Sequence, residues 1–258
     1  MILFFDIDGT IWDYKNYIPE SAVYAIKKAQ EKGHLCLLNT GRSRAFVRNE
    51  DLLSIGFDGI VSACGTMIEL HDAVVFNRLI DKEDAIRTME TVRKHGFRTI
   101  LEGPEYLYME PAEFKGDLYG EKVAREMGDS LRGIDSEWGK WQINKLSCAC
   151  DTPTREECFA ELSDLYDYMI HSEAVVEMVP KGFHKGTGIL EVCKILGVDV
   201  SETVAFGDSV NDAQMLQVAG TAVAMGRCHD EIRHLADFVT STLEEDGILK
   251  AMQRLKLI

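Results

Sequence analysis

Ile2-Leu3-Phe4-Phe5-Asp6-Ile7-Asp8-Gly9-Thr10 begins with an unbroken apolar run that ends in two closely spaced carboxylates. Four consecutive apolar residues predict a strand that is buried on both faces, as in a parallel sheet covered by helices. Gly9 permits the sharp turn that follows such a strand. The stretch therefore predicts an α/β core with acidic side chains at the carboxyl end of its first strand.

Beyond this stretch, helical and apolar strand patterns alternate along much of the chain. Helices are predicted at 19–32, about 42–56, 186–196, 210–219 and 249–257, and strands at 2–5, 35–38, 60–61, 203–206, 221–225 and 238–239. Because strands that alternate with helices form parallel sheets, this order predicts an α/β fold with a Rossmann-like, doubly wound parallel sheet.

The middle of the chain has a different pattern. A charged amphipathic helix is predicted at 81–95 and another helix at 154–167, with strands at 97–101, 106–109, 143–150 and 174–179; residues 111–141 carry no clear pattern. The alternating strands predict a small α/β domain with an antiparallel sheet. We therefore predict a core formed by residues 1–81 and 180–258, with an inserted smaller α/β domain at 82–179.

The overall charge limits the classes of partner. The chain has 258 residues, with 28 Lys and Arg against 43 Asp and Glu, which gives a formal net charge of −15. A field of that sign repels nucleic acid and anionic membranes, so we expect neither as a partner. It also repels a phosphorylated small molecule, which would need a local positive charge at its binding site.

The cysteines and the apolar segments predict a soluble protein of the cytoplasm. The seven cysteines are odd in number, form no Cys-x-x-Cys pair and lie mostly within apolar runs, which predicts buried, reduced thiols. No apolar run approaches the length of a membrane span. The N-terminal residues also lack the pattern of a signal peptide.

Three polar clusters stand directly after predicted core strands, at 6–10, 39–42 and 207–212. The carboxyl ends of the strands in an open parallel sheet share one edge, and ligands bind at that edge. The three clusters are therefore expected to converge, although they are distant in sequence. Asp6 and Asp8 are two residues apart, so extended backbone would place both side chains on the same side.

Four carboxylates would then share one pocket: Asp6, Asp8, Asp208 and Asp212. Like charges at this distance are costly unless they share protons or bind a cation, and a set of oxygen donors suits Mg²⁺. With the cation bound, Lys185 and Arg42 would supply the positive charge that a phosphate requires. One carboxylate could attack phosphorus while another handles the proton of the leaving group.

The clusters resemble the motifs of the haloacid dehalogenase (HAD) superfamily. Phe5-Asp6-Ile7-Asp8-Gly9-Thr10 resembles the first motif, DxDGT, and Thr40 in Leu38-Asn39-Thr40-Gly41-Arg42 resembles the second. Lys185 in Lys185-Gly186-Thr187-Gly188-Ile189 resembles the third motif. The fourth motif is similar to Gly207-Asp208-Ser209-Val210-Asn211-Asp212. The long insertion and Glu177-Met178-Val179-Pro180-Lys181-Gly182 are similar to the Cof-like phosphatases, which carry an α/β (C2-type) cap. The resemblance covers essentially the whole chain and is weakest across 82–170.

This resemblance implies a Mg²⁺-dependent phosphatase with an aspartyl-phosphate intermediate and small phosphomonoester substrates, such as sugar phosphates. Asp6 would be the nucleophile, and Asp8 the general acid and then the base for the hydrolytic water. The implied phosphate-binding residues are Thr40, Gly41, Arg42, Lys185 and Asn211. The implied metal ligands are Asp6, the backbone carbonyl of Asp8, and Asp208, supported by Gly9, Thr10, Ser209 and Asp212. Residues 82–179 would form the cap domain.

Two other functions fit the same motifs. A phosphomutase of the same superfamily would return the phosphoryl group to its substrate instead of transferring it to water. A non-catalytic regulator could retain the pocket to bind a phosphorylated ligand, although the pairing of Asp6 with Asp8 favours an enzyme. The sequence is compatible with a monomer or a homodimer, and Cys64-Gly65-Thr66, where Cof-like proteins usually have Asn-Gly-Ala, leaves the substrate undecided.

Several of these residues also have an ordinary structural interpretation. Asp208, Ser209 and Thr40 could each cap a helix. Arg42 could be a surface arginine, and His184 an exposed neighbour of Lys185. We expect the capping roles to be compatible with roles in the site.

Overall fold

The computed structural model describes residues 1–170, 172 and 174–258. Its strands are β1 (Ile2–Phe5), β2 (Leu35–Asn39), β3 (Gly59–Ser62), β4 (Met67–Leu70), β5 (Ala73–Asn77), β6 (Arg98–Glu102), β7 (Leu107–Tyr108), β8 (Leu131–Arg132), β9 (Lys145–Ala149), β10 (Tyr166–Ile170), β11 (Val175–Pro180), β12 (Thr203–Gly207), β13 (Thr221–Ala224) and β14 (Phe238–Val239). Its α-helices are α1 (Glu20–Glu31), α2 (Glu50–Ser54), α3 (Lys82–Lys94), α4 (Leu118–Met127), α5 (Arg155–Glu161), α6 (Lys185–Leu196), α7 (Ala213–Val218), α8 (Asp230–Arg233) and α9 (Gly247–Arg254).

Contacts between residues divide the chain into two compact units. The first comprises Met1–Gly41, Arg48–Phe76 and His184–Ile258, and the second comprises Arg42–Val47 and Asn77–Phe183. The first unit therefore draws on both ends of the chain. That residues 82–179 act as a cap stays a prediction.

The first unit is built on one sheet with the strand order β14-β13-β12-β1-β2-β3-β4-β5. The strands from β14 to β3 pair in parallel, and β4 runs antiparallel to β3. The chain adds strands to both sides of β1, so the reversal in strand order that creates a ligand-binding crevice falls at β1. The predicted α/β fold with a doubly wound parallel sheet is confirmed.

The first strand lies at the centre of this sheet because it is apolar throughout. All four residues of Ile2–Phe5 are buried, and the Phe5 ring stacks on the Phe206 ring with centroids 4.7 Å apart. Phe5 is also in register with both Phe206 of β12 and Leu38 of β2. The residues that follow these three strands therefore leave the sheet at the same level.

The second unit contains a sheet with the order β10-β11-β9-β6-β7-β8. Its described pairs are antiparallel except β7 with β8. The two sheet faces belong to different apolar clusters, because neighbouring residues of a strand point to opposite faces. One cluster joins Leu101, Leu146 and Met178 to α3 and α5, and the other joins Ile100 and Ala149 to α4.

Two predicted helices are wrong in their extent, and several elements were not predicted, among them α4, α8 and one hairpin. The helix predicted at 42–56 is reduced to Glu50–Ser54, because Asn49 accepts a hydrogen bond from the Leu52 amide and starts a new helix there. The helix predicted at 154–167 ends at Glu161, and its last residues instead begin strand β10. The hairpin of β4 and β5 was not predicted; it turns through His71 and Asp72, both with positive φ.

Two further observations concern membrane-spanning helices and the cysteine thiols. None of the described helices is both long and apolar enough to cross a membrane. All seven cysteines are free thiols, and six of them are buried. Burial raises the pKa of the thiols of Cys36 and Cys148 to about 12, which keeps them protonated and unreactive.

Lys145 of β9 is buried between two glutamates in the second unit. Its Nζ lies 2.5 Å from Glu177 Oε2 and 3.5 Å from Glu102 Oε1, and Ser147 Oγ donates a hydrogen bond to Glu102 Oε1. The register brings them together, since Lys145 pairs with Glu102 and Ser147 pairs with Glu177 across the strands. Removing the lysine would leave the carboxylates of Glu102 and Glu177 without the cation that pairs with them.

We therefore expect Lys145→Ala to lower the free energy of unfolding by about 3 kcal/mol, because breaking a buried ion pair strands the remaining charges. Denaturant unfolding of the purified chain measures this change. Lys140→Ala is the control, since it removes an exposed lysine of the same unit. An unfolding free energy of Lys145→Ala equal to that of the control would show that the ion cluster does not stabilise the sheet.

Candidate active site

Three strands of the first unit end at the edge where the polar clusters were predicted to meet. Asp6 follows β1, Thr40 follows β2 and Asp208 follows β12. The Asp6 amide donates to the Phe206 carbonyl at 3.0 Å, so the parallel ladder continues one residue past the strand and fixes the Asp6 backbone. Asp6 and Thr40 are both buried.

Lys185 lies at the centre of the candidate site. Its Nζ is 2.6 Å from Asp6 Oδ1, 2.6 Å from Asp212 Oδ1 and 3.1 Å from Asn211 Oδ1. The Lys185 side chain is fully buried, as is that of Asp212. A single ammonium group, that of Lys185 in the third motif, therefore contacts Asp6 of the first motif and Asn211 and Asp212 of the fourth.

The start of helix α6 holds Lys185 in place. His184 caps this helix, because its Nδ1 accepts a hydrogen bond from the Thr187 amide at 3.2 Å. Asn39 Nδ2 donates to the Lys185 carbonyl at 3.0 Å and ties the helix to β2. His184 is thus a helix cap and not the exposed neighbour that was expected. No local pattern predicts the contact of Asn39 with Lys185, because the hydrogen bond joins two segments that are distant in sequence.

The fourth motif forms a tight loop around the Asp212 carboxylate. Asp212 Oδ2 accepts hydrogen bonds from the amides of Asp208 and Ser209, at 2.9 and 3.0 Å. Ser209 Oγ donates to Asn211 Oδ1 at 2.7 Å. Ser209 thus caps the turn that leads into α7, as anticipated, whereas the Asp208 side chain accepts from Thr10 Oγ1 at 3.0 Å. Asp208 is in this way joined to the first motif.

Gly9 allows Asp208 to approach the first motif. Gly9 has a φ of +83°, and a Cβ atom at this position would lie 2.3 Å from Asp208 Oδ2. A side chain at residue 9 would therefore be strained in its backbone and would also displace the carboxylate. Only glycine fits both conditions.

We expect Gly9→Ala to lower catalytic activity at least tenfold, and stability by about 2 kcal/mol, because strain and displacement of Asp208 add together. Gly33→Ala is a matched control, because Gly33 also has a φ of +83° but would have no atom within 4 Å of its Cβ. Activity and unfolding should be measured for both variants. Equal activity of the two variants would contradict the role assigned to the Gly9–Asp208 contact.

Trp12 is a residue of the site that the sequence did not reveal. Its indole Nε1 donates to Asp8 Oδ1 at 2.9 Å, and it is buried beneath the loop. The Gly9 amide donates to the Trp12 carbonyl at 2.9 Å and closes the turn between them. A buried tryptophan needs an acceptor for its N–H, so a Trp four residues after Asp8 was an available signal. Trp12 orients the carboxylate of Asp8.

The electrostatics of the cluster favour an additional cation. Burial, together with the charge of Asp212, raises the pKa of Asp6 well above its ordinary value, although Lys185 opposes the change. Burial and Asp212 likewise raise the pKa of Asp208 to about 7. For Lys185, burial disfavours the charge, but Asp212 and Asp6 outweigh it and raise the pKa of the ammonium group. One lysine does not balance three neighbouring carboxylates.

The donor atoms fit a hard divalent ion. Carboxylate oxygens of Asp6, Asp208 and Asp212 lie within 4.8 Å of one another. Asp212 already uses one oxygen for Lys185 and the other for two amides, which leaves Asp6 and Asp208 as the available carboxylate ligands. With the backbone carbonyl of Asp8, they would form a set of oxygen donors, which is the chemistry that Mg²⁺ prefers.

The second motif is placed at the end of β2. The Thr40 amide donates to the Val61 carbonyl at 2.9 Å, and the Thr40 carbonyl accepts from the Cys64 amide at 3.1 Å. Thr40 does not cap a helix, since α2 begins later and is capped by Asn49. Gly41 is buried beside Thr40, and Arg42 belongs to the second unit, where its guanidinium lies 5.0 Å from the centre of the Phe46 ring.

Comparison with known proteins agrees with this fold. Residues 3–252 match the family of haloacid dehalogenase-like hydrolases. The chain is 31% identical to YkrA of Bacillus subtilis (strain 168), across 100% of this chain and 98% of that protein. It is 27% identical to the 5-amino-6-(5-phospho-D-ribitylamino)uracil phosphatase YcsE of the same organism, across 96% and 92% of the two chains. It also resembles the HAD subclass IIB sugar phosphatase BT4131, with a TM-score of 0.81, 26% identity and coverage of 100% and 99%.

The chain therefore belongs to the haloacid dehalogenase-like hydrolases. It is an enzyme of the phosphatase type within that family, with the Cof-like arrangement of motifs. The predicted family and the predicted enzyme class are confirmed. Membership of this enzyme family disfavours the alternative that the chain is a non-catalytic regulator that only binds a phosphorylated ligand.

Proposed function

We propose that the protein hydrolyses small phosphomonoesters, sugar phosphates or related metabolites, with Mg²⁺ as its metal ion and with a phosphoenzyme intermediate on Asp6. The observation that carries this proposal is the buried contact of Lys185 with both Asp6 and Asp212. An ammonium group in this position can offset the negative charge that accumulates when a carboxylate meets a phosphate. The buried Asp6 carboxylate stands at the carboxyl end of the central strand, where ligands bind.

In the first step, a carboxylate oxygen of Asp6 forms a bond to phosphorus as the bond from phosphorus to the ester oxygen breaks. Asp8 donates a proton to that ester oxygen, so the organic part leaves as a neutral alcohol. In the second step, Asp8 takes a proton from water. The resulting hydroxide oxygen bonds to phosphorus, and the Asp6 carboxylate is released with inorganic phosphate.

The surrounding residues of this chain orient these two carboxylates. Trp12 holds Asp8 by its indole N–H, and Lys185 holds Asp6 by its ammonium group. Thr40, Gly41, Lys185 and Asn211 of the first unit are proposed to bind the phosphoryl group, and a phosphate-binding role of Arg42 stays a prediction from the motif. When bound by Asp6, Asp208 and the Asp8 carbonyl, Mg²⁺ would neutralise negative charge shared by the phosphate and Asp6.

The test of metal dependence is hydrolysis of p-nitrophenyl phosphate and of a panel of sugar phosphates, before and after removal of divalent ions. We expect removal to lower turnover at least a hundredfold, because the metal supplies several kcal/mol of charge stabilisation, and we expect added Mg²⁺ to restore it. Full turnover in metal-free protein would contradict the proposed metal requirement.

Product analysis in the same assay distinguishes a phosphatase from a phosphomutase. A phosphatase releases one inorganic phosphate for each ester that is consumed. A mutase would instead yield an isomeric ester with little free phosphate. We expect stoichiometric release of phosphate.

Two further parts of the proposal concern the second unit and the compartment. Residues 82–179 are proposed to form the cap domain of this Cof-like phosphatase. The protein is proposed to act in the cytoplasm, since its seven thiols are free and a reducing compartment keeps them so.

A further inference from the structure

A cavity of about 400 Å³ adjoins Asp8 and Asp208 within the first unit. Its outer wall is formed by side chains that the catalytic mechanism does not use: Asp13, Tyr14, Arg227, Leu243 and Glu244. They come from the loop after the first motif and from the segments that follow β13 and β14. The cavity is large enough for a small organic group.

The outer wall carries charges of both signs, from Asp13, Arg227 and Glu244, and its net charge is negative. Arg227 Nη1 lies 2.9 Å from Glu244 Oε1, so these two side chains form a neutral pair. Asp13 Oδ1 accepts hydrogen bonds from the amides of Lys15 and Tyr17, at 2.8 and 2.9 Å, and this holds the carboxylate at the wall. Asp13 thus adds a negative charge beside the carboxylates of the site.

The remaining wall residues suit a polar, hydroxylated group. Tyr14 is 85% exposed, with Lys15 Nζ 5.3 Å from the centre of its ring, and Leu243 is the one aliphatic side chain at this wall. Arg227 and Glu244 supply several hydrogen-bond donors and acceptors to the same cavity. An aromatic ring together with hydrogen-bonding side chains matches the C–H and O–H groups of a polyol or sugar.

We infer that this cavity receives the organic part of the ester and selects uncharged, hydroxylated groups over groups that carry a carboxylate or a second phosphate. The inference rests on the proposed function, in which Asp8 protonates the ester oxygen. The organic part begins at that oxygen, and the cavity that Asp8 lines is therefore its place. Asp13 repels a second anion and Glu244 offsets the charge of Arg227, whereas hydroxyls can bond to Arg227 and Glu244.

The test compares two esters of nearly equal size with the full-length, Mg²⁺-loaded protein. Glycerol 3-phosphate carries a CH₂OH group where 3-phosphoglycerate carries a carboxylate. We expect kcat/KM to be at least tenfold higher for glycerol 3-phosphate. Glu244→Gln should shift the ratio of the two values about fivefold toward 3-phosphoglycerate, and Arg227→Gln should shift it about fivefold away, as one partly exposed charge contact allows.

The opposite signs separate recognition from a structural role, because loss of folded protein changes both esters equally and leaves the ratio unchanged. Glu202→Gln is the control, since it removes an exposed carboxylate of the same unit outside the cavity. Equal use of the two esters by the unsubstituted protein, or a shift of both variants in the same direction, overturns the inference. Failure to hydrolyse even p-nitrophenyl phosphate would overturn the proposed function, and the inference with it.

Discussion

Asp6→Asn is expected to abolish phosphate-ester hydrolysis, with turnover at least about 10⁴-fold lower, as for loss of an enzymatic nucleophile in general. The amide oxygen can still accept the hydrogen bond that Lys185 donates to Asp6 Oδ1, so the protein should fold. An amide lacks the nucleophilic carboxylate that must bond to phosphorus. The measurement is kcat with p-nitrophenyl phosphate at saturating Mg²⁺, with circular dichroism as the check on folding.

The matched control for Asp6→Asn is Asp230→Asn, which makes the same chemical change at a fully exposed side chain of the first unit. The control should retain normal turnover. If Asp6→Asn turned over as fast as the control, another group would have to be the nucleophile.

Lys185→Ala has the second largest expected effect, because this lysine acts on both stability and activity. Its ammonium group is buried between Asp6 and Asp212, so its removal leaves two carboxylates without a partner cation. We expect the free energy of unfolding to fall by about 3 kcal/mol. We expect turnover to fall at least about 10³-fold, because a preorganised charge at the reacting centre is lost.

Lys194→Ala tests whether these effects belong to the position of Lys185. Lys194 lies in the same helix α6 but is 75% exposed and pairs with Glu191. Its removal should leave turnover unchanged. Normal turnover in Lys185→Ala, measured at a temperature where the variant is folded, would remove the lysine from the reacting centre.

The strands of the core could be predicted closely from sequence. Ile2–Phe5, Leu35–Asn39 and Thr203–Gly207 agree with the expected ranges within a residue or two. The physical reason is that a strand buried on both faces must be apolar at every position, and few other elements produce such a short, continuous run. Their parallel order then places three polar clusters at one edge.

Elements that depend on distant pairing could not be predicted in the same way. Tyr166–Ile170 is a strand because it pairs with Val175–Pro180, whereas its first residues continue a charged pattern typical of a helix. The Asn49 cap likewise divides a segment whose composition favours one longer helix. In both cases a contact outside the local pattern decides the structure.

The candidate site shows the same division. The contacts of Lys185 with Asp6 and Asp212 follow from strand topology and could be anticipated from the motifs. The bond from Trp12 to Asp8 depends on the shape of a turn, and the pair of Arg227 and Glu244 joins two loops. The spacing of Trp12 from Asp8 was an available signal, but the direction of the bond is set by the turn; no local spacing marks the pair of Arg227 and Glu244.

Trapping the phosphoenzyme tests the nucleophilic role of Asp6 most directly, and the experiment uses Asp8→Asn with p-nitrophenyl phosphate labelled at phosphorus. The p-nitrophenolate group leaves without help from an acid, so the first step should proceed, whereas hydrolysis of the phosphoenzyme needs Asp8 as base. After an acid quench, peptide mapping should therefore find the label on Asp6, in an amount equal to the initial burst of p-nitrophenol. A burst without labelled protein, or a label on a different residue, would contradict the nucleophilic role of Asp6.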